Sequence, residues 1–326
     1  MARSAQFSFV DLFCGGGFGA RGASSAGGTP LLSVDLWDIA TATYKRNFST
    51  ADVRTDKVEN VSPRAVSGRR VDLLLTSPEC TNHTHARGSR PRNEASRDTA
   101  FSSLEWVDSI KPRWIVMENV PNMKSWTRYA ELRNELMALG YGISENVLCS
   151  SSFGVPQRRR RLFVTAERGD TPRDVIVPNR RKVGAQAILD PIGTWPETDL
   201  YKPGRATRTL RYAEAAMAEL GLKPFIVVYY GSDKGGGWQR LDDPLRTVTT
   251  LDRFALVRPT GRGWRMRMLQ PNELARAMGL PKSHAFPAGT RRDKVKLCGN
   301  GICSPVVTEV IKQLRSTNSG IRTDAS

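Results

Sequence analysis

The sequence predicts an α/β protein built on a doubly wound, mostly parallel sheet, interrupted by a smaller region of different character. Three observations carry that prediction. Apolar runs of strand length alternate with stretches of helical spacing through residue 166. A glycine-rich loop, Gly15-Gly-Gly-Phe-Gly-Ala-Arg-Gly22, follows the first run, and an acid, Asp35, closes the second. From about Gly169 the alternation stops, and Pro172, Pro178, Pro191, Pro196, Pro203 and Gly235-Gly-Gly237 punctuate short mixed runs.

Taken in order, Phe7 to Leu12 is a strand with Asp11 near its end, and the glycine loop after it opens a helix. Pro30 to Leu36 is the second strand and Asp38 to Phe48 has helical spacing. A βαβ unit therefore begins the chain, with a carboxylate where a ribose hydroxyl pair is held in nucleotide-binding folds. Gly17-x-Gly19-x-x-Gly22 satisfies the dinucleotide spacing, so a nicotinamide cofactor, an adenosyl cofactor and a turn without ligand all fit. Val71 to Leu75 is too short for an ordinary helix and reads as a strand buried on both faces. Cys80 sits in the polar loop beyond its carboxyl end, on the rim where open α/β sheets bind ligands. Taken alone, such a cysteine is more often a small buried hydrophobe.

Asp98 to Ile110 reads as a helix and Arg113 to Val120 as a strand ending near Glu118 and Asn119. A glutamate closing an apolar strand is desolvated, which raises its pKa and lets it donate a hydrogen bond; a solvated or salt-bridged glutamate is the alternative. A helix at Tyr129 to Leu139 and strands near Ile143 to Ser150 and Arg161 to Ala166 follow. Beyond Gly169, Phe225 to Gly231 and Pro244 to Val257 are the best strand candidates. Helix is expected again from Gly263, with Pro271 to Met278 opening after Gln270. Leu297-Cys-Gly-Asn-Gly-Ile-Cys-Ser-Pro305 then leads to a helix over Val306 to Leu314, and the tail after Ser316 frays.

Composition narrows the function. A chain of 326 residues suffices for one large domain and a smaller one. Its five cysteines, Cys14, Cys80, Cys149, Cys298 and Cys303, are scattered and lack paired metal spacing, which argues against a disulfide framework or zinc site and for a reducing interior. His83 and His85 have no further ligand at metal spacing, so no metal is expected. No run approaches a membrane span or a secretory leader, which predicts a cytoplasmic protein without membrane contact. Lys and Arg outnumber Asp and Glu by 49 to 32, a net +17 that points to a polyanion such as nucleic acid. The arginines cluster at Arg158 to Arg161, at Arg291 and Arg292, and at Arg87, Arg90, Arg92 and Arg97, beside the candidate site loops.

Seven segments appear in one order: FVDLFCGGGFG at Phe9 to Gly19, VDLLLTSPEC at Val71 to Cys80, SRDTAF at Ser96 to Phe101 and MENV at Met117 to Val120. FGVPQRRRRLF at Phe153 to Phe163, RMLQPNELARAMGLP at Arg267 to Pro281 and GNGICSP at Gly299 to Pro305 complete the series. Together they resemble the DNA (cytosine-5) methyltransferases. The resemblance implies a Rossmann-like catalytic domain for S-adenosylmethionine over residues 1–166, a target-recognition domain inserted over 167–263, and a return to the catalytic domain over 264–326. It implies that Phe13, Gly15 and Gly17 line the methionine part of the cofactor, Asp35 and Leu36 the ribose side, and Asp56 the adenine amino group. Asn300 returns to that pocket.

The same resemblance makes Cys80 the nucleophile, Glu118 the acid that holds the base, and Arg159 and Arg161 its neighbours around a flipped cytosine. Ser77, Arg87, Arg97, Asn119 and Gln157 are expected at the substrate. Cytosine C5 is a weak nucleophile until a thiolate adds at C6, and the reaction cannot be arranged inside a stacked duplex. Double-stranded DNA is thus the expected partner of a bacterial or phage monomer, with a cognate restriction endonuclease a further possibility. A tRNA substrate, or a DNA-binding regulator without turnover, are the alternatives. The chain departs from the family pattern on both sides of the thiol, with Glu79 in place of proline and Thr81 in place of glutamine.

Overall fold

The computed structural model describes residues 6–79, 99–230 and 237–316. Its larger sheet has seven strands: β1 (Phe7–Leu12), β2 (Gly28–Asp35), β3 (Asp52–Thr55), β4 (Leu73–Thr76), β5 (Trp114–Asn119), β6 (Tyr141–Cys149) and β7 (Arg160–Arg168). They lie in the order β3-β2-β1-β4-β5-β7-β6. β1 to β5 pair in parallel, and β7 runs antiparallel to both β5 and β6.

Alternate side chains divide between two cores. Phe7, Phe9, Leu73, Leu75 and Val116 face one, while Val10, Leu12, Leu32, Leu74 and Ile115 face the other, as the two-residue period of a strand requires. The first is covered by α1 (Phe18–Ser25) and the last helix (Ser304–Ser316), through Ala20, Ala23, Val307, Val310 and Ile311. The second is covered by Trp106 and Val107 of the helix Ser102–Ile110. Helices on both faces make the sheet doubly wound, as the sequence predicts. Gly22 sets how closely α1 meets the last helix, because a Cβ there would stand 2.5 Å from the Ser304 carbonyl oxygen and 2.6 Å from Val307 Cβ.

The second sheet contains β8 (Thr198–Asp199), β9 (Phe225–Val228), β10 (Gly237–Arg240), β11 (Phe254–Thr260) and β12 (Gly263–Met268), in the order β10-β9-β11-β12-β8. Every pairing is antiparallel. One face packs on the helix Thr207–Leu220, where Tyr212, Ala213, Ala216 and Leu220 meet Phe225, Val227, Ala255, Val257 and Met266. The alternate residues Ile226, Val228 and Leu256 join the first core with Leu148, Phe153 and Leu274. The small sheet is therefore buried on both faces and anchored to the large one.

Four segments differ from the sequence expectations. Gly263–Met268 is a strand and helix starts only at Pro271, because Trp264, Met266 and Met268 alternate with arginines and pair back onto β11 through a hairpin. Residues 244–253 are not strand. Leu245 N–H donates to the Pro156 carbonyl and its own carbonyl accepts from Arg158 N–H, so this backbone is tied to the start of β7 instead of a sheet partner. The helices Thr207–Leu220 and Arg291–Asn300 were not foreseen. The first buries a mixed face of Thr209, Tyr212, Ala213, Ala216 and Leu220, and the second is marked chiefly by the Thr290–Asp293 capping box.

Candidate active site

The glycine loop is shaped by backbone that few side chains tolerate. Phe13, Gly15 and Gly17 have φ values of 56°, 52° and 80°, all left-handed; Phe13 bears that strain without being glycine. Cys14 N–H donates to the Val34 carbonyl at 3.0 Å, which brings the loop to the tip of β2. Asp35 completes the corner: Oδ2 accepts from Gly15 N–H at 2.8 Å and Oδ1 from Trp37 N–H at 2.9 Å. Asp56 N–H donates to the Asp35 carbonyl at 3.1 Å, and the Asp56 carboxylate accepts from Asn60 and from Lys57 N–H. Leu36 is 64% exposed beside them. Phe13, Gly15, Gly17, Asp35, Leu36 and Asp56 thus meet at one rim. Exposed Asn300 ends the helix Arg291–Asn300, and just beyond it Ser304 Oγ, at the start of the last helix, donates to the Phe18 carbonyl of α1 at 2.7 Å.

Behind the rim lies a buried polar cluster that sequence reasoning missed. Asp11 Oδ2, Ser33 Oγ and Tyr44 OH are all enclosed without a well-aligned partner. Burial pushes the Asp11 carboxyl far above its usual range, Asp35 adds to the shift, and Tyr44 opposes it. Burial also raises Asp35, against which its two backbone donors and the charge of Lys296 act.

A second group assembles at the ends of β4 and β5. Ser77 N–H donates to the Leu12 carbonyl and its hydroxyl to the Phe13 carbonyl at 2.9 Å, which joins the β4 loop to the glycine loop. Asn119 Nδ2 donates to the Pro78 carbonyl at 3.2 Å while its Oδ1 accepts from Val120 N–H. This clamp fixes the chain two residues before Cys80. Cys80, Thr81, His83, His85, Arg87, Arg90, Arg92 and Arg97 lie outside the described residues. Glu118 is 6% exposed. Burial raises its pKa, and the Arg161 and Arg159 charges only partly offset this. Arg161 Nε stands 3.0 Å from Oε1, an ion-pair distance whose angle leaves that oxygen without an aligned hydrogen bond.

Arg159 and Gln157 are both engaged with backbone of neighbouring loops. Arg159 Nη1 donates to the Val248 carbonyl at 2.9 Å, and Nη2 to the carbonyls of Gly299 and Gly301 at 2.8 and 3.0 Å. Its guanidinium ties β7 to the two loops flanking it. Gln157 is fully enclosed: Nε2 donates to the Ala277 carbonyl and Oε1 accepts from Val248 N–H, each at 2.9 Å. Both ends of its carboxamide are engaged within the protein. Arg161 instead lies beside Glu118.

Over residues 7–316 the chain matches the family described as C-5 cytosine-specific DNA methylase. It belongs to that family. Among the relatives of this methylase is the type II methyltransferase M.HindV of Haemophilus influenzae, 26% identical, with 90% of this chain and 91% of that one covered. Another is the tRNA (cytosine(38)-C(5))-methyltransferase of Spodoptera frugiperda, 24% identical, with coverage of 89% and 93%. The solved structure of the Entamoeba histolytica methyltransferase EhMeth superposes with a TM-score of 0.70 at 17% identity, covering 96% of this chain and 99% of its own. The doubly wound sheet of this methylase is the methyltransferase fold. No helix among its described residues is long and apolar enough to cross a membrane.

Proposed function

We propose that this methylase transfers the methyl group of S-adenosylmethionine to C5 of a cytosine flipped out of double-stranded DNA, through a covalent bond between Cys80 and C6. The observation that carries this reading is Glu118: a carboxyl sealed at the end of β5, pushed toward its protonated form, beside the strand from which the Cys80 loop departs. The cofactor rim fits an adenosyl group. Nothing lies within 4 Å of where a Cβ on Gly15 would stand, so the loop leaves open space. Each Asp35 oxygen accepts one backbone N–H and keeps a lone pair for a ribose hydroxyl.

S-adenosylmethionine, when bound, supplies an electrophilic methyl group. The protein's own residues make C5 able to accept it. The Cys80 thiolate adds to C6, and the displaced π electrons move toward C5 and the N3 side of the ring. Protonated Glu118 donates to N3 and so stabilises that charge, while Arg161 holds the carboxyl in place. Asn119 positions the Cys80 loop through Pro78. After methylation the C5 proton departs to a base, the ring double bond re-forms, and the thiolate is expelled. Arg87 and Arg97 hold the phosphates around the vacated stack. The protein acts as a monomer, and a cognate restriction endonuclease cleaves the same sequence when it is unmethylated.

Bisulfite sequencing of DNA from cells expressing the wild type and Cys80→Ala tests the reaction and reports its target. Methylation by the wild type alone is expected; equal methylation by the variant would end the Cys80 mechanism. DNA with 5-fluorocytosine at the target should trap a covalent complex, because fluorine cannot leave C5 as a cation. A tRNA substrate is the second reading, favoured by the Spodoptera relative that covers 89% of this chain. Methyl incorporation into duplex DNA and into tRNA, compared side by side, distinguishes the two.

A further inference from the structure

The rim assigned to the cofactor has a charged neighbour that the reaction itself does not use. Trp37 donates its backbone N–H to Asp35 Oδ1 at 2.9 Å, so the indole is fixed relative to the carboxylate. Lys296, from the helix Arg291–Asn300, places its Nζ 4.3 Å from the centroid of that indole ring. The lysine is exposed, yet its charge reaches Asp35 and pulls the titration of that buried group back down. The other titratable groups around Asp35 are Asp11 on β1, Cys14 in the glycine loop, Asp56, whose backbone N–H donates to the Asp35 carbonyl, and, behind them, Tyr44 on the helix Asp38–Asn47; on its own helix Lys296 also acts on Asp293. None of these neighbours of Asp35 is cationic. Among the described residues, Lys296 is the cation that lowers the titration of Asp35.

We infer that Lys296 is a further binding determinant of this pocket: seated on Trp37, its ammonium keeps the Asp35 carboxylate charged to accept the hydroxyl pair of a ribose. The inference rests on the cofactor assignment made above. Its physical basis is the preference of hydroxyl donors for an ionised acceptor, since charge-assisted hydrogen bonds are about twice as strong as neutral ones. An acid buried this deeply needs compensation to stay ionised: the Trp37 and Gly15 N–H donors supply the larger part, and the ammonium held on the indole face adds a positive charge at the rim. Affinity for an adenosyl ligand is then set by a helix near the end of the chain as well as by the strand tips.

Calorimetric titration of S-adenosylhomocysteine into the full chain from pH 5 to 8 tests this with wild type, Lys296→Met, Lys296→Arg and Trp37→Leu. Removing the cation lets Asp35 protonate at higher pH, so the Met variant should bind about three- to fivefold more weakly at the acid end of this range, with the difference closing toward pH 8. Its affinity should also begin to fall at a higher pH than that of the wild type. The arginine variant should restore both properties, and Trp37→Leu, which removes the seat, should shift the profile in the same direction as Met. Superimposable wild-type and Met profiles at equal Tm overturn the inference. So does a uniform loss of affinity with an unmoved profile and no rescue by arginine, which would mark Lys296 as structural. A wild type that binds no S-adenosylhomocysteine at any pH removes the cofactor assignment, and this inference with it.

Discussion

At the scale of single residues, the two carboxylates nearest the proposed chemistry act in opposite directions. Glu118 is buried and its pKa raised, so the form that donates to N3 persists to higher pH than in an ordinary glutamate. Turnover that needs that proton falls as pH rises through the raised value. Glu118→Gln stays neutral at every pH and should lose about 10²- to 10⁴-fold in turnover with little change in DNA affinity, and its basic limb should flatten. Single-turnover rates across pH check this, and an unchanged rate reassigns the acid. Glu79 is exposed and precedes Cys80 in the chain, where an ionised carboxylate disfavours a neighbouring thiolate. Two like charges about 6 Å apart repel by roughly 0.7 kcal/mol in water and roughly 3 kcal/mol at an effective dielectric of 20. Glu79→Gln should therefore move the acid limb of the methylation step to lower pH and speed the reaction near neutrality. A slower reaction at every pH would instead make Glu79 a base.

At the scale of elements, the two arginines that share one short run separate by what they hold. Arg159 joins β7 to Val248, Gly299 and Gly301, while Arg161 reaches Glu118. Arg159→Ala leaves three enclosed carbonyls without that donor and should cost on the order of 3 kcal/mol, read as a lowered urea midpoint. Arg161→Ala should leave the midpoint nearly unchanged and reduce turnover. The reverse pattern would exchange their roles. Sequence order alone cannot make this distinction, because alternate residues entering a strand share a face while their side chains reach different depths. The parallel strands were legible because Leu73, Leu74 and Leu75 fill both cores and leave no polar position. Asp35 was legible from its place after an apolar run. The Lys296–Trp37 contact was not, since it joins opposite ends of the chain and neither residue type signals it. The segment 244–253 was misread as strand because its apolar residues are buried by packing on residues 156–158, which hydropathy does not separate from a sheet.

At the scale of the whole molecule, the chain returns from the second sheet to the first through residues 281–290, and this crossing carries a titrating group. Asn47 grips it, donating to the Ala285 carbonyl at 2.9 Å and accepting from Ala285 N–H at 3.0 Å. His284 is enclosed next to that clamp, with Phe18 and Phe286 each edge-on at 5.2 Å between ring centroids. Neither ring nitrogen has a hydrogen-bond partner. Burial, helped by the charge of Arg21, lowers its pKa from the ordinary 6.5 to about 4. A base whose folded pKa is depressed stabilises the fold above its unfolded value, and that stability is lost as pH falls from 6.5 toward 4, because the unfolded chain takes up the proton first. The shift corresponds to on the order of 3 kcal/mol. Raised acids such as Asp11 and Glu118 have the opposite slope, losing stability as pH rises through their folded values, and they are present in any His284 variant as well. The difference between two proteins therefore isolates the histidine. His284→Leu keeps an apolar side chain against Phe18 and removes the proton site. Urea midpoints measured at pH 7.5, 6, 5 and 4.5 should fall more steeply in the wild type than in the variant, with the gap opening below pH 6.5. Parallel lines would mean that the ring finds water or a partner on protonation, and that the acid sensitivity of the crossing lies elsewhere.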